Sequence, residues 1–219
     1  MIVTIDGPAG AGKSSAAREL ARRLDFQFLD TGAMYRAVTL AAQREGIDLA
    51  DADALLRVAK GCEITATGDQ VTLNGQDVTR EIRASSVTAA THHAADHQGV
   101  RAHLTELQRH AGRHRDIVTE GRDQATVVFR DAECKIYLTA SEEVRAERRY
   151  IDLVNRGERV SLQDVLDQQR DRDGRDKARP QGGLAKADGA IRVSTDGMSH
   201  DEVVAKLMDI VQQCKPTGC

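Results

Sequence analysis

Short apolar runs along the chain alternate with longer stretches in which apolar residues recur at helical spacing. Residues 1–5 form the first apolar run, and 14–24 place Ala17, Leu20, Ala21 and Leu24 on one face of a helix. Residues 26–29 and 33–45 repeat the succession of strand and helix. This alternation predicts an α/β fold, in which a parallel sheet is covered by helices.

One region departs from this alternation. Residues 63–67 and 70–73 read as two strands around Gly68-Asp69, followed by the turn pair Asn74-Gly75. The pattern predicts an antiparallel insertion in an otherwise parallel α/β chain. Further strands are predicted at 117–119, 134–138 and 191–194, and further helices at 51–60, 85–96, 99–113 and 141–155, with two more starting at Ser161 and Ser199. The helix from Ser161 is expected to end in the charged run 170–177.

The first predicted strand leads directly into the motif G-x-x-x-x-G-K-S, whose residues are Gly7, Pro8, Ala9, Gly10, Ala11, Gly12, Lys13 and Ser14, with Ser15 next. Glycines allow successive backbone N–H groups to point at one anion, while the lysine adds a charge for the outer phosphates. The Ser14 hydroxyl is a candidate Mg²⁺ ligand, and Glu120 could orient water around the metal from the end of a strand. A strand before the motif and a helix after it predict nucleoside triphosphate binding.

Three further polar clusters fall at or after predicted strand ends, where ligands bind in open parallel sheets. The first is the segment 30–36, whose Thr31 and Arg36 can grip a second anion. The second is the group Glu120-Gly121-Arg122-Asp123, whose burial would be costly without a partner or a ligand. The third is the arginine-rich run 170–179, which contains Gly174 and suggests a mobile lid.

Composition narrows the function classes. The net charge of −3, with 3% aromatic residues and no basic stripe, disfavours nucleic-acid binding. Cys62, Cys134, Cys214 and Cys219 form no C-x-x-C pair, which favours a reduced, cytoplasmic protein. The sequence shows no signal-peptide pattern and no apolar run of the length of a membrane span, so we expect neither a signal peptide nor a membrane-spanning segment. His92, His93 and His97 have no accompanying ligands that would favour a metal site.

The chain resembles the bacterial cytidylate kinases, a family of nucleoside monophosphate kinases, over essentially its whole length. The resemblance rests on the loop 7–15, the segment Leu29-Asp30-Thr31-Gly32-Ala33-Met34-Tyr35-Arg36, Gly121-Arg122-Asp123, Thr126-Val127-Val128-Phe129, and the spacing of Arg172, Asp173, Asp176 and Arg179. It implies a three-layer P-loop core (about 1–59, 101–155 and 183–219), a small antiparallel insertion that binds the nucleoside monophosphate (about 60–100), and a helical lid (about 156–182).

The resemblance also implies a reaction and its residues. ATP would donate its γ-phosphoryl group to CMP or dCMP, with Mg²⁺ as the metal. Carried over by position, Arg36 and Arg122 would hold the acceptor phosphate, and Thr91, Arg101 and Asp123 would surround cytosine. Arg172 and Asp176 would contact the sugar, Arg179 would reach the phosphates, and one of Arg145, Arg148 and Arg149 would face them from the lid hinge, with Arg149 counted among the catalytic candidates.

Two alternatives remain at this point. The nearest is another P-loop kinase, of the uridylate–cytidylate or adenylate type, which the insertion and Gly121-Arg122-Asp123 disfavour. A GTPase-like switch would need a guanine-reading Asn/Thr-Lys-x-Asp segment, and the chain has none near a strand end. The sequence thus predicts a monomeric cytoplasmic enzyme with ATP and CMP or dCMP as its small-molecule partners, and with neither nucleic acid nor membrane as a partner.

Overall fold

A computed structural model of the chain describes residues 1–215, so Cys219 lies outside the described residues. The chain folds as two units. The first unit comprises Met1–Asp25 and the chain from Val118 onward, and the second unit comprises Phe26–Ile117. The predicted division into core, insertion and lid draws its boundaries at other residues and stays a prediction.

The first unit contains a parallel sheet with helices. Its strands are β1 (Ile2–Asp6), β6 (Ile117–Gly121), β7 (Cys134–Thr139) and β8 (Ile191–Ser194), in the order β6-β1-β7-β8. β1 pairs in parallel with β7, and β7 pairs in parallel with β8. Its helices are α1 (Lys13–Leu24), α6 (Glu142–Asn155), α7 (Leu162–Ala178) and α8 (His200–Cys214). The predicted parallel α/β architecture is confirmed.

The second unit contains the antiparallel strands. Its strands are β2 (Gln27–Asp30), β3 (Ile64–Thr67), β4 (Gln70–Leu73) and β5 (Gln76–Asp77). β2 pairs antiparallel with β3, β3 with β4, and β4 with β5. Its helices are α2 (Thr31–Arg44), α3 (Ala52–Gly61), α4 (Ser85–Asp96) and α5 (Gln98–Ala111), with a short 3₁₀ turn at Glu81–Arg83. The predicted hairpin is confirmed.

Local sequence explains many of these boundaries. Asn74 and Gly75 both adopt positive φ, at 50° and 77°, which is the backbone that a tight turn after β4 requires. Ser161 and Ser199 each open a helix through a reciprocal capping box, with Asp164 and Glu202 respectively. Such caps satisfy backbone N–H groups that have no partner inside the helix.

The charged run in α7 differs from its prediction. The helix does not end there, but continues to Ala178. Asp173 and Asp176 are buried within the run, and each forms an ion pair with an arginine outside the helix, Arg145 and Arg122 respectively. These tertiary pairs compensate for the burial of charge, so the segment stays helical despite its polarity.

Candidate active site

The phosphate-binding loop lies between β1 and α1, as its motif predicts. A Cβ added at Gly7, where φ is +152°, would lie 1.9 Å from the carbonyl oxygen of Leu138, so no side chain fits there. Gly12, with φ at +84°, occupies the position before α1 in the left-handed conformation. The loop therefore requires glycine at both ends. Gly12 immediately precedes Lys13, the first residue of α1.

Lys13 is a buried cation inside this loop. Its side chain is 5% exposed, and its Nζ donates a hydrogen bond to the carbonyl oxygen of Pro8 at 2.8 Å. Burial lowers the pKa of Lys13 to about 7, and the nearby cations Arg122 and Arg172 lower it further, while Glu120 opposes them. Several positive charges thus converge on the loop, and such an arrangement attracts polyanions.

Ser14 and Glu120 meet beside the loop. The Ser14 hydroxyl donates a hydrogen bond to Glu120 Oε1 at 2.8 Å, although the two residues are 106 positions apart in the chain. Glu120 is buried at the end region of β6, which the sequence placed at a strand end. A hydroxyl and a carboxylate supply the oxygen ligands that suit Mg²⁺. In residues 1–215, no cluster of three or more His, Cys, Asp or Glu side chains could hold a metal ion.

Arg122 and Asp123 follow β6 directly. Arg122 Nε donates to Asp176 Oδ2 at 2.7 Å, and Asp123 is 6% exposed. The chain then forms a wide π-helical turn at Gln124–Val128, which the sequence did not predict. The backbone N–H groups of Gln124 and Ala125 donate to the two carboxylate oxygens of Asp6, at 2.9 and 2.8 Å.

Asp176 joins two of the predicted phosphate-binding arginines. Its Oδ2 accepts from Arg122, and its Oδ1 accepts from Arg179 Nη2 at 2.6 Å. Burial alone would raise the pKa of Asp176, but Arg122 and Arg179 outweigh it and hold this pKa below its ordinary value. Arg172 is exposed on the same helix and also contributes to the field at Asp176. The carboxylate is therefore ionised at neutral pH and neutralises part of the cationic cluster.

The three arginines of α6 have different surroundings. Arg145 is buried, pairs with Asp173 Oδ2 at 2.7 Å and donates to the loop carbonyl of Ala9 at 2.9 Å. Arg148 donates to the hydroxyl and carbonyl oxygens of Thr195, at 2.9 and 3.0 Å. The Arg149 side chain is partly exposed and makes no hydrogen bond or ion pair with the described residues. The sequence assigned no role to Asp173 and did not predict the contact between Arg145 and the loop.

The second unit carries the predicted residues Thr31 and Arg36 on α2. Asp30 caps this helix by accepting from the Ala33 N–H at 2.8 Å, and Arg36 Nη2 lies 3.4 Å from the same carboxylate. Thr31 is 3% exposed. Within the described part of the chain, Arg36 Nε is buried and has no hydrogen-bond partner. A donor in that position is suited to an incoming anion.

The other two predicted residues of this unit lie on α4 and α5. Arg101 is 8% exposed, donates to the carbonyl oxygen of Ala95 at 3.0 Å, and places its guanidinium 5.9 Å from the centre of the Tyr35 ring. The Thr91 hydroxyl donates to the carbonyl oxygen of Val87 at 2.7 Å, one turn earlier in α4. Arg101 is thus held by neighbours of its own unit, while Thr91 retains acceptor capacity.

Comparisons with known proteins decide the family. The model of the cytidylate kinase family matches residues 3–213. The chain belongs to the cytidylate kinase family. A cytidylate kinase of Rhodopirellula baltica is 49% identical over 214 residues, which cover 98% of this chain and 93% of that protein. A cytidylate kinase of Mycobacterium leprae is 45% identical, with 97% of this chain and 96% of that protein covered.

The fold is also found in a kinase for a different substrate. Shikimate kinase from Acinetobacter baumannii aligns with a TM-score of 0.51 at 16% identity, covering 98% of this chain and 94% of that chain. This likeness concerns the P-loop kinase fold alone. Family membership makes the chain a nucleoside monophosphate kinase. Among residues 1–215, no helix combines the length and the apolar character that a membrane span requires.

Proposed function

We propose that this cytidylate kinase family member transfers the γ-phosphoryl group of ATP to CMP or dCMP, yielding ADP and CDP or dCDP. An oxygen of the monophosphate forms a new bond to the γ-phosphorus, and the bond from that phosphorus to the β-γ bridging oxygen breaks. The monophosphate is already an oxyanion at neutral pH, so this chemistry needs no general base. Alignment and neutralisation of charge remain as the tasks of the protein.

The convergence of cations on Lys13 is the observation that carries the proposal. Burial and the neighbours Arg122 and Arg172 depress the Lys13 pKa to about 7. A bound triphosphate would reverse this penalty, because its negative charges favour the ammonium form. Backbone N–H groups of Gly7, Ala9, Gly10, Ala11, Gly12 and the residues up to Ser15 would supply the remaining donors.

We assign the acceptor phosphate to arginines. Arg122 and Arg179 already share one counter-ion, Asp176, at 2.7 and 2.6 Å. The phosphate of CMP would replace Asp176 as the partner of these arginines. The arginines would then stabilise the negative charge that develops during transfer. The sequence resemblance assigns Arg36 to the same phosphate, and the buried, unpartnered Nε of Arg36 is consistent with that role. We also propose that Arg149 faces the phosphates from the lid hinge, as the resemblance implies.

The base and sugar assignments are carried over from the family resemblance, and hydrogen-bonding polarity supports the base assignment. Cytosine presents an amino donor with N3 and O2 acceptors, which suit a carboxylate at Asp123 and a guanidinium at Arg101. Uracil presents an oxygen where cytosine presents the amino group, so Asp123 would face an acceptor. Thr91 would complete the base contacts. Arg172 and Asp176 would contact the sugar. When Asp176 makes this contact, its ion pairs with Arg122 and Arg179 would break.

Mg²⁺ belongs to the proposal through Ser14 and Glu120. Their oxygens lie 2.8 Å apart at the loop, so the ligand set fits a hard cation that is held partly through water. When bound, Mg²⁺ would neutralise charge on the β- and γ-phosphates. We further propose a monomeric enzyme of the cytoplasm, where the free thiols of Cys62, Cys134 and Cys214 would persist.

A substrate panel tests the proposal. ADP release is measured in a coupled assay with CMP, dCMP, UMP and AMP as acceptors at equal concentration. We expect kcat/KM for CMP or dCMP to exceed that for UMP and AMP by about tenfold or more, because buried polar groups discriminate strongly between hydrogen-bonding patterns. Highest activity with AMP would favour an adenylate-type kinase, and equal use of UMP and CMP would favour a uridylate–cytidylate kinase.

A further inference from the structure

Asp6, the last residue of β1, is a buried acid that the proposed reaction does not use. It is 2% exposed, and its two carboxylate oxygens accept the N–H groups of Gln124 and Ala125, which are 118 and 119 residues later in the chain. A carboxylate is costly to bury unless its oxygens are hydrogen-bonded. These two hydrogen bonds therefore compensate for the burial of the Asp6 carboxylate.

The contacts cap the turn at Gln124–Val128. The first N–H groups of a helical turn have no partner within the turn itself. The preceding residue, Asp123, makes no side-chain cap there. Further along, the Phe129 N–H bonds to the Gln124 carbonyl at 2.7 Å, which closes the wide spacing of the turn. Asp6 thus acts as the N-cap of the turn, although it lies on β1. A negative charge is favoured at the N-terminal end of a helical turn.

This turn begins directly after Arg122 and Asp123. We infer that Asp6 is a positioning residue for phosphoryl transfer. Its carboxylate ties the backbone that follows Arg122 and Asp123 to the end of β1, where the phosphate-binding loop starts. Gly7, the first residue of the loop, follows Asp6 in the chain. A misplacement of about 1 Å costs roughly a hundredfold in rate when groups must be aligned for transfer. The inference rests on the proposed roles of Arg122 and Asp123.

The charge state of Asp6 supports this role. Burial raises the pKa of Asp6 to about 6 and the carboxylate of Asp123 adds to the rise, whereas the two backbone N–H groups and Lys13 lower it. The group is therefore mainly ionised at pH 7, and both oxygens can accept. An asparagine has a single acceptor oxygen, so it can keep only one of the two hydrogen bonds.

Kinetics of three variants test the inference. We expect Asp6→Ala to raise KM for CMP about tenfold or more and to lower kcat, while the Kd for ATP without CMP changes less than about threefold. Asp6→Asn restores part of the loss. The matched control is Thr4→Val, because Thr4 is buried two residues earlier in β1 and its hydroxyl donates to the carbonyl oxygen of Cys134 at 3.3 Å. Thr4→Val is expected to reduce stability but to leave KM for CMP unchanged.

An unchanged KM for CMP in Asp6→Ala would overturn the inference, and so would an equal effect of Thr4→Val. Amide hydrogen exchange of residues 122–129 decides the case if Asp6→Ala fails to fold. We expect faster exchange at Gln124 and Ala125 in Asp6→Asn than in Thr4→Val, and equal protection in both would contradict the positioning role. Wild-type protein that phosphorylates no pyrimidine monophosphate would refute the proposed function, whereas the exchange comparison would still test Asp6.

Discussion

Arg122 and Asp176 form an ion pair at 2.7 Å, although 54 residues separate them in the chain. Their side chains are 17% and 5% exposed, and the second oxygen of Asp176 holds Arg179. One carboxylate of α7 thus pairs with two arginines that we assign to phosphate binding, and it offsets one of their two positive charges. The pairing reduces the repulsion between these two cations.

Replacement of Asp176 by asparagine should destabilise the protein and impair the reaction. Removal of one partner of a buried ion pair costs about 3–5 kcal/mol, because the remaining charge loses its compensation. We expect urea unfolding of Asp176→Asn to show a loss of this order and the KM for CMP to rise. Asp171→Asn, an exposed change on the same helix, is the control, and an equal loss of stability in that variant would contradict the prediction.

The stability of the protein should increase with pH above neutrality through Lys13. Its folded-state pKa of about 7 lies below the ordinary 10.5, so the unfolded chain binds more protons between these two values. The free energy of unfolding therefore rises as pH increases from about 7 towards 10.5, by several kcal/mol at most. Urea unfolding of wild type and Lys13→Met at pH 7, 8 and 9 measures the difference, and parallel pH profiles would exclude Lys13 as its source.

Asp123 should govern the choice between CMP and UMP. In Asp123→Asn the amide can donate a hydrogen bond to the uracil oxygen, so the ratio of kcat/KM for CMP over UMP is expected to fall by about tenfold or more. Steady-state kinetics with both nucleotides provide this ratio. Asp131→Asn removes the same charge at an exposed position shortly after the turn and should leave the ratio unchanged. A full preference for CMP in Asp123→Asn would refute the base assignment.

Glu120 should affect the requirement for Mg²⁺. Outer carboxylates that orient a metal ligand typically change affinity by about 10–100-fold when they are replaced. We expect Glu120→Gln to need about tenfold more Mg²⁺ for half-maximal velocity at saturating ATP. A Mg²⁺ titration of the initial rate measures this effect. Glu133→Gln, a change outside the loop region, is the comparison, and identical titration curves for wild type and both variants would remove Glu120 from the metal site.

Much of the fold was predictable because its signals are local. The loop 7–14 needs specific glycines and a lysine at fixed offsets, and the capping box at Ser199 needs Glu202 three residues later. Helix and strand periodicities likewise involve neighbours within a few positions. These features can be recognised without knowledge of the tertiary structure. The sequence therefore predicted the α/β architecture, the hairpin and the nucleotide loop.

The remainder depended on contacts between residues that are distant in sequence. The charged run of α7 was expected to end the helix, yet it remains helical because Asp173 and Asp176 are paired with Arg145 and Arg122. The turn at Gln124–Val128 escaped prediction because its capping carboxylate is Asp6. The sequence by itself determined which groups are available for phosphate chemistry. Tertiary structure decided which of them neutralise one another, because Coulomb attraction and desolvation depend on distance in space.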